Sequence, residues 1–212
     1  MISLINSLPL KRYQAVNRTQ VDFNELRIEI VRKALHFLIA LVPSMLVIDK
    51  TATVVILVAG TLSYTLMEYL RISGIKVPLI SSVTVMASRP RDAGHFVIGP
   101  ITLGLGALFA LLIYPSTAAI IAIYALAFGD GIASLVGKFF GKWRPAFLYG
   151  KSIEGSAACF IVVFISAFMV SGSVYIAVMA AFTATIVESM PLGDYDNLLI
   201  PVTVGLVVHF VY

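Results

Sequence analysis

Residues 116–138 read STAAIIAIYALAFGDGIASLVGK, a run of apolar and small residues with one carboxylate, Asp130, set inside it. At a rise of about 1.5 Å per residue, a helix over this run spans a hydrocarbon layer about 30 Å thick. With Gly137 near one end, Asp130 lies on the order of 10 Å inside. A carboxylate at that depth is costly and marks function by default; the alternative is a charge merely neutralised by a nearby Lys or Arg. Gly129 and Gly131 flank it and offer close backbone approach or a helix break.

The rest of the chain follows the same pattern. Of 212 residues, 59% are hydrophobic and 12% charged, and the mean hydropathy is +0.98. A soluble domain carries about 25% charged residues, so a soluble globular protein is excluded. Apolar runs at roughly 31–48, 51–70, 97–114, 116–137, 153–171, 173–190 and 196–212 predict an all-α integral membrane bundle of about seven transmembrane helices. Residues 29–212 then form a single transmembrane domain, behind a basic segment, 1–28, that is either interfacial or flexible. Residues 71–96, with Pro78 and the group Arg89, Pro90, Arg91, Asp92, read as a surface loop with or without a short re-entrant helix. The lone Cys159 allows neither a disulfide framework nor a cysteine metal site. The net charge of +4 comes from cations scattered between apolar runs, which fits orientation in an anionic membrane rather than nucleic acid.

Lys and Arg alternate cleanly between connections. Lys11, Arg12, Arg18, Arg27, Arg32 and Lys33 precede or open the first span, and cations recur in the 71–96 and 138–152 loops. The Tyr114-Pro115-Ser116 and Ser171-Gly172-Ser173 turns carry none. Cation excess belongs inside, so the N-terminus is expected to be cytoplasmic. The ionisable residues near helix ends then fall almost entirely on that face, which argues for a site at one membrane surface.

Three stretches on that face carry chemistry. Residues 137–156, GKFFGKWRPAFLYGKSIEGS, combine glycines, cations and hydroxyls at a helix start, a composition suited to phosphate. The GKS at 150–152 is not a Walker A loop, because Pro145 stands at the upstream glycine position and no strand precedes it. Phe139, Phe140, Trp143, Phe147 and Tyr149 suit either the headgroup interface or a lipid substrate. Residues 188–201, ESMPLGDYDNLLIP, hold three carboxylates and no cation, and Glu188, Asp194, Asp196 and Asn197 are hard oxygen ligands of the kind that hold Mg2+ beside phosphates. Asp194 or Asp196 also suits a helix N-cap. Pro201 frees the carbonyl of Asn197 for a ligand or a neighbour. On the first span, Arg32 and His36 share a face at i, i+4, as do Glu29 and Lys33; His36 either binds phosphate or caps a polar contact. Glu68 and Arg71 either pair at a helix end or join the site.

Asp130 with Ala133, Gly137-Lys138, Gly141-Lys142, Lys151-Ser152, Gly155-Ser156, Asp196-Asn197 and Pro201 resembles the polyprenol kinase family, which includes dolichol kinase, phytol kinase and the CTP-dependent diacylglycerol kinase. Lys33 and His36 resemble the family's early motif, and Glu68 its acidic position after the second span. The resemblance covers roughly residues 30–212, and the chain looks like the catalytic core alone beside the longer eukaryotic dolichol kinases. It implies transfer of the terminal phosphate of a nucleoside triphosphate, commonly CTP, to the hydroxyl of a membrane lipid alcohol, with Mg2+ as cofactor. Asp130, Lys151 and Asp196 are the expected catalytic residues. Lys33, His36, Lys138, Gly141, Lys142, Ser152, Gly155, Ser156 and Asn197 are expected at the nucleotide and its phosphates. Asp130, Glu188, Asp194 and Asp196 are expected at the metal.

A lipid cytidylyltransferase, which releases pyrophosphate, is the second enzyme reading, and a small ion-coupled transporter the non-enzyme one. The acceptor stays open among dolichol-like polyprenols, phytol, geranylgeraniol and diacylglycerol, and the donor between CTP and ATP. Small-residue spacings at Gly137/Gly141 and Ala180/Ala184 allow close packing within the chain or between copies in a homo-oligomer.

Overall fold

A computed structural model describes residues 23–75 and 94–212. Residues 1–22 of the basic segment 1–28 lie outside the described residues, as do residues 76–93, which hold Pro78, the group Arg89 to Asp92 and most of the expected loop or re-entrant helix. Among the described residues every regular element is helical, and each of the apolar runs is a helix, as expected for an all-α membrane protein.

The first span begins at Phe23 rather than at residue 31: α1 (Phe23–Leu38) passes through a 3-10 turn at Ile39–Leu41 into α2 (Val42–Ile48). Pro43 lacks an N–H and its ring crowds the preceding turn, so the tighter turn falls just before it. The side chain of Asp49 accepts a hydrogen bond from Ala52 N at 2.9 Å and starts α3 (Lys50–Ile72). There follow α4 (Gly99–Ile113), α5 (Ser116–Tyr124), a π-helical turn at Ala125–Asp130 and α6 (Gly131–Phe139). Ser152 caps α7 (Ile153–Ser171), which ends at Gly172 with φ +67°. Ser173 caps α8 (Val174–Ser189), and a 3-10 turn at Gly193–Tyr195 leads into α9 (Asp196–Val211).

Among the described residues, five helical stretches are long and apolar enough to cross a membrane, while α4 and α8 are shorter, at 15 and 16 residues. The span that holds Asp130 lies at the centre: 61% of the apolar stretch within Ser116–Phe139 is buried, against 11% of that within Lys50–Ile72. Helices α4, α7, α8 and α9 pack around it, whereas α3 leans on α4 and α2 and turns Val55, Leu62 and Leu66 outward. The core is rich in alanine, including Ala107, Ala122, Ala177, Ala180 and Ala184, because small side chains let helices approach where lipid offers no hydrophobic drive between them.

One close approach depends on glycine. Pro201 leaves the Asn197 carbonyl without its helical partner, and a Cβ on Gly106 would overlap that carbonyl and sit 2.9 Å from Pro201 Cγ. Gly106 therefore lets α4 cover the freed oxygen. Gly106→Ala is expected to destabilise the fold by about 1–3 kcal/mol, as overpacking does, and to lower the thermal midpoint in detergent; an unchanged midpoint would count against this packing.

Candidate active site

Asp130 closes the π-helical turn, a wide turn that recurs at functional positions. Its glycine neighbours bring other helices close: a Cβ on Gly129 would lie 2.9 Å from Val163 Cγ2 of α7, and one on Gly131 would lie 2.7 Å from Phe37 Cε1 of α1. The carboxylate faces α1, where Lys33 and His36 stand at i, i+3 on one face. Lys33 Nζ donates to Asp130 Oδ2 in an ion pair with both side chains buried. His36 Nδ1 lies 3.2 Å from the same oxygen without a hydrogen bond. The other oxygen, Oδ1, accepts a long bond from Ser134 Oγ at 3.4 Å.

The other charges of α1 find partners on neighbouring helices and along α1. Glu29, buried, accepts from Arg32 Nη2 at 2.7 Å and pairs with Lys138 Nζ at 2.9 Å, while Lys33 goes to Asp130. Arg32 also reaches Asp194 Oδ1 at 3.5 Å, so α1 is stitched to α6 and to the turn before α9 by charges.

Beside this cluster lies a cleft of about 170 Å³. Glu29, Lys138, Arg144, Lys151, Ser152 and Glu188 supply its polar wall, and Ser134, Gly155 and Ser156 also line it. A small-molecule pocket runs to about 300–1,000 Å³, so this cleft matches phosphate groups while the rest of a nucleotide would extend beyond it. Lys151 Nζ donates to the Glu188 carboxylate at 2.9 Å and to the Glu188 backbone carbonyl. Arg144 ties the loop together by donating to the carbonyls of Gly137 and Gly150. Gly150, at φ +90° after Tyr149 at +50°, makes that turn with a backbone suited to glycine.

Several expected phosphate contacts take other forms here. Ser152 Oγ accepts from Gly155 N at 3.1 Å, so that N–H caps the helix instead of facing a ligand. A Cβ on Gly155 would lie 2.8 Å from the Ala133 carbonyl, and one on Gly141 would overlap the Gly137 carbonyl. Both glycines thus let loop and helices close over Ser152. Ser156 Oγ is 3.3 Å from Ser189 Oγ. Lys142 does not line the cleft: its side chain is exposed, and its backbone N–H is held by Glu154 Oε1 at 3.0 Å.

The acidic connection splits. Glu188 gives Oε1 to Lys151 and keeps Oε2 buried without a hydrogen bond. Asn197 Nδ2 donates to Thr102 Oγ1 at 3.1 Å and to the Gly99 carbonyl at 3.3 Å, which leaves its buried Oδ1 without a partner. Asp196 lies within electrostatic range of Asp130, Lys33, Lys151 and Arg32, and its Oδ1 accepts from Asn197 N at 2.8 Å. Asp194 turns to Arg32 instead. Among the described residues, no three of these acids, histidines or cysteines gather as a metal-ligand group. Glu68 stands apart: Arg71 donates to both its oxygens at 2.7 and 2.8 Å, and Val97 N donates to Oε1 at 2.8 Å, fastening the end of α3 to the approach to α4.

Glu29, Ser134 and Arg144 were not among the expected site residues. Arg144 carried a faint signal as a cation inside the glycine-rich loop, and Glu29 only that it shares a face with Lys33; Ser134 carried none, because its role depends on which helix lies opposite.

An α-helical membrane bundle with a buried carboxylate beside a cation-lined cleft is the class of protein that these features define. No family model matches the chain, and no solved structure matches it. Curated relatives do. A probable chloroplastic phytol kinase of Triticum aestivum is 31% identical over 152 residues, covering 63% of this chain and 49% of that protein. The CTP-dependent diacylglycerol kinase 1 of Eremothecium gossypii is 26% identical over 157 residues, covering 62% and 49%. A probable chloroplastic phytol kinase 2 of Glycine max is 29% identical over 158 residues, covering 64% and 54%. The chain spans about half the length of the curated relatives it matches. These relatives are lipid kinases, of the family that the motif residues resemble.

Proposed function

We propose that this chain is a membrane lipid-alcohol kinase that transfers the terminal phosphate of a nucleoside triphosphate, CTP in the favoured reading, to the hydroxyl of an isoprenoid alcohol at the cytoplasmic face. The observation that carries this reading is the buried Asp130, gripped by Lys33 and set beside a phosphate-sized cleft walled by Lys138, Arg144 and Lys151. Phosphoryl transfer needs little covalent chemistry from the protein; it needs positioning and cations that offset charge on the transferring group.

In this reading Lys138 and Lys151 take the donor's phosphates, with the Ser152 and Ser156 hydroxyls beside them. The acceptor comes sideways from the bilayer and sets its hydroxyl against Asp130 Oδ1, the oxygen that carries only the long Ser134 bond. Its oxygen bonds to the terminal phosphorus as the bond to the bridging oxygen breaks. The nucleoside diphosphate leaves with that electron pair, and the hydroxyl proton passes to Asp130. Lys33 and His36 fix the carboxylate's direction. Glu188 Oε2 and Asn197 Oδ1 are buried and without partners, and as hard oxygen donors each is of the kind that would hold a magnesium ion. Such an ion supplies charge neutralisation on the phosphates.

The test is a product assay on purified protein with Mg2+, terminally labelled CTP or ATP, and a panel of isoprenoid alcohols and diacylglycerol. Label in a lipid monophosphate is expected. Diacylglycerol is the second acceptor, favoured by the relative from Eremothecium gossypii. Pyrophosphate release from CTP in the presence of a phospholipid acid, with no labelled lipid monophosphate, would overturn the kinase reading in favour of a cytidylyltransferase.

A further inference from the structure

Glu29 is buried, yet it lines the cleft, and it divides its two oxygens between two cations: Oε1 to Arg32 at 2.7 Å and Oε2 to Lys138 at 2.9 Å. Those partners differ in kind. Arg32 sits one turn along the same helix and is 19% exposed, whereas Lys138 comes from α6 on a flexible four-carbon stem and is 38% exposed. A guanidinium suits a lasting buried pair; an ammonium on a long stem exchanges partners easily. If Lys138 turned away, Glu29 would keep Arg32 and remain compensated, which a buried carboxylate requires.

We propose that Glu29 is an internal competitor of the donor's phosphate for Lys138, and therefore a positioning residue that sets donor affinity. The carboxylate keeps Lys138 directed at the cleft wall, and an incoming phosphate must outbid it, leaving Glu29 with Arg32. Glu29 adds repulsion of its own, because its charge faces the same space that phosphate enters. The inference rests on the kinase reading of the cleft.

A competitor and a structural brace predict opposite signs for one substitution. Glu29→Gln removes the competing charge while depriving Arg32 of its nearer anion. Binding of CTP with Mg2+, and separately of inorganic pyrophosphate, is to be measured at equilibrium on the full chain in lipid nanodiscs. The expected result is a CTP Kd about three- to tenfold lower for Glu29→Gln than for the unaltered chain, even though its thermal midpoint falls. Lys138→Gln is expected to raise the Kd, and adding Glu29→Gln to it should then tighten binding far less than it does in the unaltered chain, because only the direct repulsion is relieved. Should Glu29→Gln fail to fold, Glu29→Asp serves: it keeps a charge for Arg32, draws back from Lys138, and is expected to tighten CTP binding to a smaller extent. An unchanged or higher Kd in a folded Glu29 variant overturns the proposal while leaving the kinase reading intact. Absence of both CTP and pyrophosphate binding to the unaltered chain would overturn the kinase reading and this inference together.

Discussion

Asp130→Asn is expected to reduce lipid phosphorylation by about 10²–10⁴-fold, the range of a general base, while the protein still inserts and binds nucleotide. The substitution keeps the shape of the side chain but removes its charge, leaving Lys33 buried beside a neutral amide. Removing one partner of a buried ion pair typically costs about 3–5 kcal/mol, so a fall in thermal midpoint should accompany the loss of turnover. Lys33→Met separates the two effects, because it strands the carboxylate instead of the ammonium. The double variant Lys33→Met/Asp130→Asn should regain stability relative to either single one but recover no activity. Measuring kcat, KM and melting for all three checks this. Near-normal turnover in a folded Asp130→Asn protein would remove Asp130 from the reaction.

Lys151→Met carries the second large effect. Its ammonium holds the Glu188 carboxylate and backbone carbonyl at the cleft wall, and in the proposed kinase reading it turns from there to the transferring phosphoryl group. Loss of one preorganised donor of that type costs about 10²–10³-fold in kcat. The substitution also leaves Glu188 as a carboxylate without its cation, and donor binding should weaken alongside kcat. Lys142→Met is the internal control. Its side chain is exposed away from the cleft, so steady-state kinetics should change by no more than about twofold, the scale of a surface charge. Equal losses for Lys142 and Lys151 would show that the loop adopts another arrangement during turnover.

The spans were legible because lipid demands long apolar runs, and each of those runs became a helix. The start of α1 was not, since charged residues such as the exposed Arg27 and the buried Glu29 interrupt the apolar run there. Asp130 was legible for the converse reason: a lone acid in an apolar run has no other cheap explanation. The π-helical turn that aims it leaves no periodicity to detect, because its glycines and alanines permit an ordinary helix equally well. Lys142 and Lys151 looked alike in composition and differ only in where the loop turns at Tyr149 and Gly150. Spacing puts Glu29 and Lys33 on one helix face but does not show their partners, because Asp130 and Lys138 lie about a hundred residues away in the chain.

The charge stitching of α1 bears on how the chain is assembled. A lone helix carrying Glu29, Arg32, Lys33 and His36 toward hydrocarbon would hold charges without counterparts from other helices, which is costly. Those charges find their counterparts only on segments synthesised far later, at Asp130, Lys138 and Asp194. This span leaves the ribosome before its counterparts do, so its charges are fully paired only once the central span and the turn before α9 have been delivered.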